Sequence, residues 1–129
     1  MPAAPLTIAT DGSCLKNPGG ASGWAWVADD GRWFAAGQPT GTNQVAELWG
    51  VLAALRDFPL DPLTIQIDSV YAMKCATTWA QGWARNGWRN RAGDPVSNLA
   101  LVQAIFTQMK RRKDAGLVTR FEKVPGHDP

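Results

Sequence analysis

Leu6, Ile8 and Thr10 alternate with Thr7 and Ala9, and the run passes straight into Asp11-Gly12-Ser13-Cys14 and then Asn17-Pro18-Gly19-Gly20. Short β-rich alternation predicts a strand, and the glycine- and proline-rich segment after it predicts a sharp turn. Asp11 therefore stands at the carboxyl end of an expected central strand, where α/β sheets usually open their active sites. Strand-Asp-Gly alone is an ordinary turn. Asp11 takes on meaning only with other acids beside it.

Two such acids follow. Ser22–Ala28 and Arg32–Gly37 read as strands joined by a hairpin turn at Asp29-Asp30-Gly31, so the chain opens as an antiparallel meander. Trp24, Trp26 and Trp33 are expected to pack on that sheet. Thr42 or Asn43 then offers a helix N-cap, and Val45, Leu48, Trp49, Leu52 and Leu55 recur at helical spacing. Glu47 lies near the start of this helix, where the macrodipole alone would favour an acid. Leu63–Ile67 is a further strand and again ends in an acid, Asp68-Ser69. Asp68 has a plain alternative role as a helix cap. Taken together, three acids at two strand ends and on the helix between them would repel one another unless cations share them. Oxygen-only ligands select hard ions such as Mg²⁺ or Mn²⁺.

Charge is divided along the chain. Residues 1–68 carry three Lys/Arg against seven acids, and residues 69–129 carry ten against four. An acidic half that holds cations and a basic half that meets phosphates fits this division. Val70–Trp88 reads as helical, and no acid occurs between Ser69 and Gly93. Lys74, Arg85, Arg89 and Arg91 are interleaved there with Trp79, Trp83 and Trp88, a composition suited to a nucleic-acid backbone. Trp79 and Trp83, four residues apart, are expected on one helix face. Ser97 or Asn98 caps another helix with Leu99, Val102, Ile105, Phe106 and Met109 inside, and its Lys110-Arg111-Arg112-Lys113 end is expected to be solvated. Leu117–Val124 is a last strand.

A chain of 129 residues, 45% hydrophobic and 19% charged, suits one globular domain. No apolar run reaches a membrane-spanning length, and the start lacks the features of a signal peptide. Cys14 and Cys75 show no metal-ligand spacing, which predicts free thiols and a cytoplasmic location.

Thr10-Asp11-Gly12-Ser13, Ala46-Glu47-Leu48, Asp68-Ser69 and Val124-Pro125-Gly126-His127 occur in the order found in type 1 ribonuclease H, which the chain resembles over nearly its whole length. Cys14, Asn17-Pro18-Gly19 and the Trp79–Trp88 segment are similar to that family's first turn and basic protrusion. The resemblance implies an α/β ribonuclease H-like fold. This is a mixed five-stranded sheet, three antiparallel strands then parallel ones, with helices on both faces, as a single domain over residues 1–129. It implies endonucleolytic cleavage of the RNA strand of an RNA–DNA hybrid, leaving 3′-hydroxyl and 5′-phosphate ends. Asp11, Glu47 and Asp68 would hold two Mg²⁺ ions, with Mn²⁺ as a substitute, and His127 would assist proton transfer or product release. The Cys14–Asn17 turn, Asn43 and Gln44 would meet the hybrid in its minor groove, and Thr42 and Asn17 would hold a DNA-strand phosphate. Trp79, Trp83, Arg85 and Arg89 would lie along the DNA backbone. The protrusion is thinner in lysine than is usual in that family, and Val70 stands where many members carry a polar residue. Those departures imply a weaker, more salt-sensitive hold on the hybrid.

The family also carries a fourth metal-ligating aspartate on a final helix beyond the histidine. Asp128 is too close to His127 to match it. The expectation is a ribonuclease H domain without its C-terminal helix, monomeric when that helix is complete. The alternatives are a catalytically impaired hybrid-binding module, or another enzyme of the same fold, integrase-like or actin-like.

Overall fold

The computed structural model describes residues 4–16 and 18–125. Asn17 and Gly126-His127, with the roles expected of them, lie outside the described residues. In chain order the elements are β1 (Leu6–Cys14), β2 (Ser22–Ala28), β3 (Trp33–Gln38), α1 (Asn43–Asp57), β4 (Leu63–Ile67), α2 (Val70–Ala76), α3 (Thr78–Arg85), α4 (Leu99–Asp114) and β5 (Thr119–Lys123).

The five strands form one sheet in the order β3-β2-β1-β4-β5. β1 and β2, and β2 and β3, run antiparallel, whereas β4 lies parallel to both β1 and β5. This is the expected mixed sheet. Ile8, Trp26, Ala28, Leu63, Ile65 and Ile67 point to one face and are buried against Leu48, Val51, Leu52 and Leu55 of α1 and Val102 and Ile105 of α4. Each large aliphatic side chain so buried contributes about 1.5–3 kcal/mol. On the opposite face Ala9, Asp11, Ser13 and Val27 stay exposed. Trp33, expected to pack, is 71% exposed there, because among the described residues nothing lies over it.

Several local expectations change in the tertiary structure. β1 does not stop at Asp11 but runs on to Cys14, since β2 pairs with it as far as Cys14 opposite Ser22. The helical part of Val70–Trp88 divides into α2 and α3 at Thr77 (φ −118°, ψ −83°) and ends at Arg85, with Trp88 at φ 64°. Asn98 occupies the cap position of α4 in the left-handed region (φ 57°) without a side-chain capping bond. Its Nδ2 donates instead to the Tyr71 hydroxyl at 2.9 Å.

The basic end of α4 is not simply solvated. Arg112 is fully buried, donating from Nε to Thr119 Oγ1 (2.7 Å) and from Nη1 to the Phe58 carbonyl (2.7 Å), with a third bond from Nη2 to the Asp61 carbonyl. One guanidinium therefore ties α4 to the α1–β4 loop and to β5. Its planar fork of donors matches diverging carbonyls in a way that no ammonium can.

Candidate active site

Backbone geometry places the acids before any side-chain rotamer does. The parallel ladder between β1 and β4 ends at Ala9 opposite Gln66. Asp11 and Asp68 each stand two residues beyond that last pair, where the two adjacent strands have stopped pairing with each other. Both line one cleft of about 240 Å³ with Ala9, Thr10, Gln66, Val124 and Pro125.

Glu47 reaches the same region from α1. Thr42 caps that helix, its Oγ1 accepting from the Val45 amide at 3.1 Å. Glu47 falls past the first turn, which contains no acid, so the macrodipole does not account for it. What brings α1 close is the absence of a side chain at Gly12. A β-carbon there would stand 2.3 Å from the Ala46 carbonyl carbon and 2.6 Å from the Glu47 amide nitrogen. Gly50 has the same role a turn later, with the Asp11 carbonyl oxygen 3.3 Å from where its β-carbon would be. Helix α1 therefore crosses β1 directly at Asp11.

Burial pushes the Glu47 carboxyl above its ordinary value, and the charges of Asp68 and Asp11 push the same way. The Ser69 hydroxyl works against them, donating to Glu47 Oε2 at 2.6 Å. Asp11 Oδ1 accepts from the neighbouring Gly12 amide at 3.0 Å. Among the described residues no three His, Cys, Asp or Glu converge tightly enough to ligate one ion. The donor set nonetheless fits a hard divalent cation. It is all carboxylate, and at Glu47 the charges of Asp68 and Asp11 act against the ionised form until a cation offsets them.

The predicted contact residues fall into two groups. Cys14, Thr42, Asn43 and Gln44 surround the junction of β1 with α1, where Asn43 Oδ1 accepts from the Cys14 amide at 2.8 Å. The Cys14 sulfur lies 3.3–3.5 Å from the carbonyl oxygens of Lys16, Gly20 and Gly41 and so gathers the turn around itself. Gln44 is exposed beside it. Trp79, Trp83, Arg85 and Arg89 form the other group. The Trp79 and Trp83 rings lie 5.8 Å apart, Lys74 Nζ is 5.5 Å from the Trp79 centroid, and Arg85 is exposed. Arg89 donates to the Gly93 carbonyl at 2.8 Å. Trp83 also packs against the core, so its role is largely structural.

Two residues have roles that the sequence does not assign. Gly12 reads locally as a turn former, and its close approach to α1 is a tertiary fact. Ser69 reads only as a member of a motif, although a serine just before a helical run is a recognisable cap signal. The cap of α2 is indeed Ser69 and not Asp68, which leaves the Asp68 carboxylate to the cleft.

A family model described as RNase H matches residues 3–129. The chain belongs to the RNase H family. It is similar to Ribonuclease HI of Streptomyces coelicolor, with 42% identity over 125 residues covering 92% of this chain and 52% of that protein. Ribonuclease H of Tropheryma whipplei is 41% identical over 110 residues, covering 83% of this chain and 67% of that one. Among solved structures, LC9-RNase H1, a type 1 RNase H with the type 2 active-site motif, superposes with a TM-score of 0.80 at 25% identity, covering 98% of this chain and 65% of that chain. This RNase H chain thus spans about half the length of the Streptomyces relative and about two thirds of the other two.

Proposed function

We propose that this protein is a ribonuclease H, a metal-dependent endonuclease that cuts the RNA strand of RNA–DNA hybrids. The observation that carries the reading is a cleft lined by Asp11 and Asp68, with the Glu47 carboxyl near enough to feel both charges, in a chain of this family. These three acids would hold two Mg²⁺ ions, or Mn²⁺ in their place. Bound there, divalent ions supply an activated water and charge stabilisation for in-line displacement at phosphorus. The chain's own task is to hold the three carboxyl groups close to one another. Burial first, and then the charges of Asp68 and Asp11, make Glu47 hard to ionise, and a cation among the three acids would offset both.

Hybrid binding would divide between the two contact groups. The turn around Cys14 with Thr42, Asn43 and Gln44 would face the minor groove, where 2′-hydroxyls distinguish RNA from DNA. Thr42 already spends its hydroxyl oxygen on the α1 cap, so it would offer a phosphate only its hydroxyl proton. Arg85 and Arg89, together with Trp79, would follow the DNA-strand phosphates. Asn17 and His127 complete the proposed set, as DNA-phosphate contact and proton-transfer aid. Free Cys14 and Cys75 support a reducing, cytoplasmic setting, and the protein would act as a monomer. Among the described residues no helix is long and apolar enough to cross a membrane.

Cleavage of an end-labelled RNA–DNA hybrid with Mg²⁺, Mn²⁺ or EDTA tests the reading, with wild type and Asp11→Asn side by side. Metal-dependent cuts in the RNA strand alone, lost in Asp11→Asn, are expected. Hybrid binding without cleavage by wild type would favour the impaired binding module. Cleavage of DNA alone would overturn the substrate assignment.

A further inference from the structure

We infer that Ser69 is the positioning residue for Glu47: its hydroxyl couples the start of α2 to the carboxylate of α1 and holds that carboxylate at the metal site. The inference rests on the nuclease reading above.

The Ser69 hydroxyl has one proton and two lone pairs. The Ala72 amide donates to its oxygen at 3.1 Å, which is the capping bond of α2. The hydroxyl proton is then directed to Glu47 Oε2 at 2.6 Å. That distance belongs to the short range of hydroxyl-to-carboxylate hydrogen bonds, the stronger class. A capping bond and a charge-assisted bond share one oxygen, so the serine rotamer is fixed from both sides. Among the described residues the other carboxylate oxygen of Glu47 accepts no hydrogen bond. One oxygen is tethered and the other is available.

A tether matters more for Glu47 than for the two aspartates. Glutamate has one more rotatable bond than aspartate, and it enters from a helix that crosses the strands, not from a strand end. Repulsion by Asp11 and Asp68 drives its carboxylate away from them whenever no cation is present. The Ser69 bond opposes that drift and lowers the reorganisation needed when an ion arrives. Partners of metal ligands that act in this way typically change metal affinity or activity by about 10–100-fold when removed.

Capping and tethering can be separated by substitution. Threonine retains both. Glycine is nearly as good an N-cap as serine but has no hydroxyl to donate, whereas alanine lacks both functions. The experiment compares wild type, Ser69→Thr, Ser69→Gly and Ser69→Ala by three readouts: Tm in EDTA, Mn²⁺ affinity of the nucleic-acid-free protein by calorimetry, and single-turnover hybrid cleavage. Ser69→Thr should match wild type throughout. Ser69→Gly should keep a Tm close to wild type yet bind Mn²⁺ about 10-fold more weakly, with cleavage reduced to a similar degree. Ser69→Ala should lose affinity like glycine and lower the Tm as well. In a Glu47→Gln background, Ser69→Gly should cause no further loss of Mn²⁺ affinity.

Wild-type Mn²⁺ affinity and cleavage in Ser69→Gly would overturn the inference and leave Ser69 as a helix cap only. A further affinity loss from Ser69→Gly in the Glu47→Gln background would also overturn it, since the effect would not pass through Glu47. Failure of the nuclease reading looks different. Wild type itself would then not cut the hybrid, while the calorimetric comparison would still report on the tether.

Discussion

Gly12 and Glu47 are in backbone contact: a β-carbon on Gly12 would stand 2.6 Å from the Glu47 amide nitrogen. That contact sets the distance between β1 and α1 at the point where their two acids meet. The constraint is steric. The placement of Glu47 and the packing of α1 therefore depend on the same missing methyl group.

Gly12→Ala forces α1 away from β1, because the atoms it meets are backbone of Ala46 and Glu47 and not the end of a flexible side chain. Overpacking of this kind costs about 1–3 kcal/mol. Urea unfolding should show a lower midpoint with an unchanged slope. Cleavage per folded molecule should fall by at least about 10-fold, since misplacement by about 1 Å can cost 10²-fold.

Glu47→Gln should stabilise the metal-free protein at neutral pH. Burial, then Asp68 and Asp11, raise the folded-state pKa of Glu47 above its ordinary value. A carboxyl with a raised folded pKa favours folding fully below its unfolded pKa, and that contribution is lost as pH rises through the folded pKa. At pH 7 in EDTA the charged glutamate is therefore a net cost, and Tm should rise on substitution. The gain should shrink as pH falls toward the ordinary glutamate value of 4.5. In Mg²⁺ the order should reverse, with wild type gaining more Tm than the variant.

Arg112→Met should be among the most damaging changes outside the acidic cleft. It leaves the buried Phe58 carbonyl and the partly buried Asp61 carbonyl without their donor, at about 1–3 kcal/mol for each buried group left unsatisfied. A total loss on the order of 3 kcal/mol is expected in urea unfolding. Arg112→Lys should recover only some of it, having a point charge in place of a fork. Hybrid cleavage by the remaining folded fraction should be unchanged.

Arg85→Ala with Arg89→Ala should weaken hybrid binding at all sequences alike. The log–log dependence of affinity on salt should flatten by about 0.9 for each phosphate that is no longer neutralised. Because Arg89 also holds the Gly93 carbonyl, its substitution alone should loosen the following loop and lower Tm slightly more than Arg85→Ala does. Fluorescence anisotropy across a salt series measures the first effect, and thermal unfolding measures the second.

The local code was enough for most of the elements. Alternation at Leu6–Thr10 and Leu63–Ile67, helical spacing from Val45 to Leu55, and Gly31 at the hairpin are near-neighbour signals. They depend on side-chain periods of two and 3.6 and on a positive φ (93°) at glycine. The three acids and the family were legible for the same reason: each motif is contiguous. What the chain could not show locally depended on partners distant in sequence. β1 runs past Asp11 because β2 pairs with it, and Val70–Trp88 divides at Thr77 although its composition reads as continuous. Arg112 leaves the solvated run it belongs to because Phe58, Asp61 and Thr119 surround it with acceptors. Ser69 meets Glu47, 22 residues away, only because α1 lies over the sheet. Residue type and spacing pointed to the family. Packing decided which atoms share a site, because hydrogen bonds and steric contacts act over ångströms in space, whatever the separation along the chain.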